Sequence, residues 1–94
     1  MSIENIKKKI NPILRRNGVK KAALFGSVVR KEDKKGSDVD ILIKFEKNDK
    51  SLFDLSGLKI ELEEKLNKKV DILTYDSLHP LLKDIILKEQ KVIL

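Results

Sequence analysis

The sequence predicts an α+β (α/β) domain of three short strands, a fourth candidate strand at the end of the chain, and about four helices. Three observations carry this. Apolar residues recur every three or four positions over 3–14 and again over 52–66, as on one stripe of a helix. Short apolar runs of strand length, Val19 to Phe25, Asp38 to Phe45 and Val70 to Tyr75, lie between and after these stretches. The two kinds alternate along the chain, the pattern of helices laid on a sheet.

The elements follow in order. Ser2 precedes Ile3, Ile6, Ile10, Ile13 and Leu14 and is placed to cap a first helix. Pro12 interrupts that stripe without changing its phase. The helix is therefore either kinked there or restarted, with Asn11 as cap and Pro12 in the first helical position. Arg15, Arg16 and Gly18 suit its end, two cations in the last turn and then a glycine. Ala22, Ala23, Leu24 and Phe25 form a short buried strand whose alanines let a helix pack close. Gly26-Ser27 turns the chain, and residues 28–36 read as a short helical turn followed by a loop.

Alternation in the second strand sets Asp38, Asp40 and Leu42 on one face and Val39, Ile41 and Ile43 on the other. Ser51-Leu52-Phe53-Asp54 is a capping box with Asp in place of Glu. It opens a helix with Leu52, Leu55, Leu58, Leu62 and Leu66 inward. Gly57 costs that helix about 1 kcal/mol against alanine, and close packing on the sheet is one reason to keep it there. In the third strand Asp71 and Leu73 share a face opposite Val70 and Ile72, so an acid stands in a run that reads as buried. His79-Pro80 starts a last helix with Leu81, Leu82, Ile85 and Ile86 inward, and Val92-Ile93-Leu94 offers an edge strand.

At 94 residues, residues 1–94 make one domain with one modest core. A net charge of +6 favours an anionic partner, although a solvated lysine surface produces the same number. There is no cysteine and a single histidine, which excludes a disulfide framework and a thiolate or histidine-rich zinc site. No apolar run is long enough for a membrane span and no signal-peptide core precedes the first helix, so the chain reads as cytoplasmic.

The chemistry concentrates in Phe25 to Ile43. A strand ends in Gly26-Ser27, ten residues follow, and Asp38-Val39-Asp40 opens the next strand. Gly26 leaves room for a phosphate, Ser27 adds a hydroxyl, and Arg30 can reach a phosphate oxygen or pair with a carboxylate. Asp38 and Asp40 repel one another unless a cation lies between them, and oxygen-only ligands suit Mg²⁺. Asp71 is the third carboxylate that a two-metal arrangement requires. The plainer reading is turn chemistry: Gly-Ser marks many turns, and Asp38 after Gly36-Ser37 can simply cap one. The spacing fits neither an EF-hand nor a P-loop. Tyr75 reads as a strand-end residue and His79 as a helix-start residue.

Gly-Ser, ten residues, Asp-x-Asp resembles the signature of the nucleotidyltransferase superfamily that includes DNA polymerase beta. The flow FGS…SDVDILI…VDIL…EQKVIL is similar, over nearly the whole chain, to minimal nucleotidyltransferases of the MNT type, the antitoxin partners of HEPN toxins. The resemblance implies the nucleotidyltransferase fold with a small mixed sheet. It implies Gly26, Ser27 and Arg30 at the nucleotide, Asp38, Asp40 and Asp71 as catalytic metal ligands, two Mg²⁺ ions, and ATP as substrate. It further implies transfer of AMP to a tyrosine of a HEPN ribonuclease toxin, within a homo-oligomer or a hetero-oligomer with that toxin. Val29 and Lys31 depart from the small residue and glycine that usually flank the arginine. The short chain leaves no room for a second domain to hold a small acceptor, so the acceptor is expected on another protein. Two rivals stand beside this reading. One is an antitoxin that acts by binding alone. The other is a basic nucleic-acid module, disfavoured by an aromatic content of 4% and by scattered basic residues.

Overall fold

The computed structural model describes residues 2–31, 38–47 and 49–94. Helix α1 (Ile3–Arg16) leads into strand β1 (Val19–Phe25) and the one-turn helix α2 (Ser27–Arg30). Strand β2 (Val39–Phe45), helix α3 (Leu52–Leu66) and strand β3 (Val70–Thr74) follow. A 3-10 turn (Tyr75–Ser77), helix α4 (Pro80–Glu89) and strand β4 (Lys91–Val92) complete the chain. The basic connection at 32–37, which holds Gly36 and Ser37, lies outside the described residues.

The strands form one mixed sheet in the order β3-β2-β1-β4. β1 runs antiparallel to β2 and β4, while β2 and β3 are parallel with α3 as their crossover. Ala22, Leu24, Ile41, Ile43 and Val70 build one sheet face, and they form a single buried cluster with Ile6, Ile10 and Leu14 of α1 and Leu58, Leu62 and Leu66 of α3. Each fully buried Leu or Ile contributes about 1.5–3 kcal/mol. Arg16 pairs with Glu61 across the two helices.

The local signals acted largely as their chemistry dictates. Ser2 accepts the Asn5 N–H as N-cap of α1, and Gly18 takes the positive φ that follows the helix end. α1 runs unbroken through Pro12, so it is one helix rather than two. Asn11 is consequently no cap. It is buried, and its side-chain amide donates to the Ile93 carbonyl at 2.7 Å, tying α1 to the end of the chain. The Ser51–Asp54 capping box forms as expected.

Four expectations need correction. Leu52 is 81% exposed, because it sits in the first turn of α3, beyond the sheet that Leu58, Leu62 and Leu66 cover. Leu81, Leu82 and Ile85 are exposed instead of inward, and Ile86 is only half-buried; α4 places none of these apolar side chains in the core. A Cβ at Gly57 would meet nothing within 4 Å, so close packing does not explain that glycine. Asp71 is exposed, on the β3 face it shares with the exposed Leu73 and away from the buried Val70, so the cost expected of a buried acid does not arise. The last strand is shorter than expected, but Ile93 and Leu94 still donate to the Ala22 carbonyl beside β1.

Candidate functional site

The sheet register brings the acids together. Asp40 of β2 lies directly opposite Asp71 of β3 in a parallel ladder, so both side chains leave the same face. Across the antiparallel pair Asp40 opposes Phe25, the residue before the Gly-Ser turn. Asp38 falls just before β2, half-buried, and lies near enough to act on Asp40 electrostatically. Burial pushes the Asp40 carboxyl above the usual carboxylate range, and the charges of Asp71 and then Asp38 push it the same way; Arg30 opposes them and Glu89 adds to them. The repulsion anticipated from spacing is therefore present. Among the described residues the acids do not close into a ready three-ligand cage.

Gly26 is the residue on which the turn depends. It has φ 77° and ψ −150°, a combination essentially restricted to glycine. A Cβ there would collide with Asp40 Oδ2, with Asp40 Cγ at 3.1 Å. Its carbonyl accepts from the N–H groups of Val29 and Arg30, both at 3.1 Å, and this starts α2. Ser27 is the first residue of that turn and Arg30 the last.

Arg30 pairs with a carboxylate, the second of the two options its position left open. Its Nη1 donates to Glu89 Oε1 at 2.9 Å and to Oε2 at 3.1 Å. The Gly26 N–H donates to the same Oε1. Sequence reasoning missed Glu89, which stands 59 positions after Arg30 at the end of α4. No sequence signal marks it; the register of the last strand brings it there. β4 sets Leu24 against Lys91, and two residues further along the ladder Gly26 faces position 89.

Beside Asp40 and Asp71 opens a cleft of about 340 Å³ with apolar walls from Phe25, Leu55, Ile72 and Leu73 and a cation, Lys59, on its lining. Apolar walls around a few convergent polar groups are usual in small-molecule sites. Tyr75 and His79 stay outside. The Tyr75 hydroxyl donates to Gln90 at 2.7 Å, with Lys21 Nζ 4.8 Å from the ring centre, and burial raises its pKa. His79 Nδ1 accepts the Leu81 N–H as the cap of α4, a helix-start residue as expected.

Comparison with known proteins agrees with this fold. A Methanocaldococcus jannaschii protein, provisionally named a protein adenylyltransferase, is 60% identical over 89 residues, with 95% of each chain covered. A solved structure provisionally described as a minimal nucleotidyltransferase superposes with a TM-score of 0.82 at 32% identity, covering 97% of this chain and 95% of that one. The fold also recurs, with a TM-score of 0.76 at 22% identity, in a Shewanella oneidensis complex of an MNT antitoxin with a tri-AMPylated HEPN toxin, covering 97% of this chain and 71% of that one. The nucleotidyltransferase domain of polymerase beta matches residues 8–94, a span that takes in the turn, the paired aspartates of β2 and β3, and Glu89. The match spans most of the chain, and the chain belongs to the polymerase beta nucleotidyltransferase family.

Proposed function

We propose that the protein transfers AMP from ATP to a hydroxyl of a partner protein, and that the partner is a HEPN-type toxin whose tyrosine is the acceptor. The observation that carries this reading is Asp40 opposite Asp71 on one sheet face, with the Gly26 turn closed against Asp40. The naming of the Methanocaldococcus jannaschii relative supports the protein acceptor, and the Shewanella oneidensis complex supports the HEPN partner and the AMP group.

In this reading Gly26, Ser27 and Arg30 receive the triphosphate. Asp38, Asp40 and Asp71 would hold Mg²⁺. Their all-oxygen donor set fits a hard cation, and the raised Asp40 carboxyl is the imbalance that a cation offsets. Bound there, Mg²⁺ supplies positive charge to the triphosphate and makes the acceptor hydroxyl more acidic. The acceptor oxygen attacks the α-phosphorus. Asp71 takes the hydroxyl proton, the bond to the bridging oxygen of the β-phosphate breaks, and pyrophosphate leaves.

The test is transfer of label from α-labelled ATP to a co-purified HEPN partner in the presence of Mg²⁺. The Asp38→Ala, Asp40→Ala double variant is expected to lose transfer while melting no lower than the wild type, because it sheds carboxylates that repel one another. Undiminished transfer by that variant overturns the reading. One observation favours a second reading, neutralisation by binding alone: α4 exposes Leu81, Leu82 and Ile85, an apolar surface of the kind that marks protein contacts. Cells protected from the toxin by the double variant would favour that reading.

A further inference from the structure

The Glu89 carboxylate bridges both ends of the Gly-Ser turn. Oε1 accepts from the Gly26 N–H and from Arg30 Nη1, and Oε2 accepts from the same Nη1. The helix between those two anchors is four residues long, too short to hold its own shape, since helix nucleation is unfavourable without outside contacts. Gly26 in addition adopts a backbone conformation that must be held in place by its surroundings. Glu89 is itself firmly placed. It stands two residues before Lys91, whose pairing with Leu24 belongs to the β4–β1 ladder, and its side chain is 19% exposed.

We propose that Glu89 is a positioning residue for nucleotide binding: its carboxylate clamps the Gly26–Arg30 turn in the shape that receives the triphosphate. The clamp rests on the nucleotidyltransferase reading given above and assigns it a residue outside the usual turn and triad. The same bonds allow an opposite role, in which Glu89 stands in for a phosphate and is expelled when nucleotide arrives. The β4 ladder holds the backbone two residues beyond Glu89, so the two roles differ only in where its side chain goes. The two roles predict opposite signs.

The experiment is calorimetric titration of the full chain with a non-hydrolysable ATP analogue and Mg²⁺. Glu89→Ala is expected to weaken binding about tenfold or more, the cost of a charge-assisted hydrogen bond. Glu89→Gln is expected to recover part of the loss, since its amide oxygen still accepts from Gly26. In the transfer assay the Glu89→Ala defect is expected in the KM for ATP rather than in kcat, which a general loss of folded protein would not produce. Should Glu89→Ala fail to fold, Glu89→Gln carries the test, and it too must bind more weakly than wild type. Equal or tighter binding by these variants overturns the clamp alone. A wild-type chain that binds no nucleotide removes the proposed AMP transfer and the clamp with it.

Discussion

Gly26 and Asp40 are packed so closely that position 26 has no room for a side chain: a Cβ there would collide with Asp40 Oδ2. The glycine thus does two things at once, turning the chain at φ 77° and letting a carboxylate lie against its backbone. Gly26→Ala must either shift the turn or swing the Asp40 carboxylate away from its present position beside Asp71. A displacement of about 1 Å in a reacting group costs on the order of a hundredfold in rate, and the backbone conformation adds about 1–3 kcal/mol of strain. The expected outcome is a loss of transfer of that order together with a lower melting temperature, measured by labelled transfer and thermal denaturation.

Gly57 sits at the opposite extreme. It is exposed in the middle of α3, and nothing would obstruct a methyl group. Gly57→Ala is expected to stabilise the fold by about 1 kcal/mol, and to raise the melting temperature by roughly 4–8 °C in a domain of this size. Calorimetry of the two proteins checks it. An unchanged or lower melting temperature would mean that the glycine has a structural use not visible in its surroundings.

The start of α3 carries a pH dependence. Asp54 is held below the usual carboxylate range, first by the backbone N–H of Ser51 and then by the Ser51 hydroxyl. Because the folded state binds this proton less readily than the unfolded one, the contribution is complete above the unfolded value and is lost as pH falls through the folded one. Asp54→Asn is expected to be less stable than wild type near neutrality, with the gap narrowing in acid as pH falls below the ordinary Asp value. Ser51→Ala removes the cap itself and is expected to cost about 1 kcal/mol. Urea unfolding near neutrality and in acid reads both effects.

Much of this was legible in the sequence, and the rest was not for identifiable reasons. Helix and strand periods, the Ser2 and Ser51 caps and the Gly18 end are local, so they are written in consecutive residues. The pairing of Asp40 with Asp71 was half legible: alternation gave each residue a face, while their meeting depended on the parallel register of β2 and β3. The inward assignments of Leu52, Leu81, Leu82 and Ile85 failed because periodicity identifies an apolar stripe but not whether anything covers it. Glu89 was invisible for a different reason. A glutamate near the end of a charged helix has no local signature, and its role comes from a ladder that sets Lys91 against Leu24.

Asp71 rides on β3, an edge strand joined to the sheet through β2 alone. Edge elements open more readily than the strands they flank, and local opening needs less free energy than global unfolding. In rising denaturant the acid pair would therefore separate while α1, β1 and β2 still hold together. Wherever β3 opens by itself, the site fails before the molecule does.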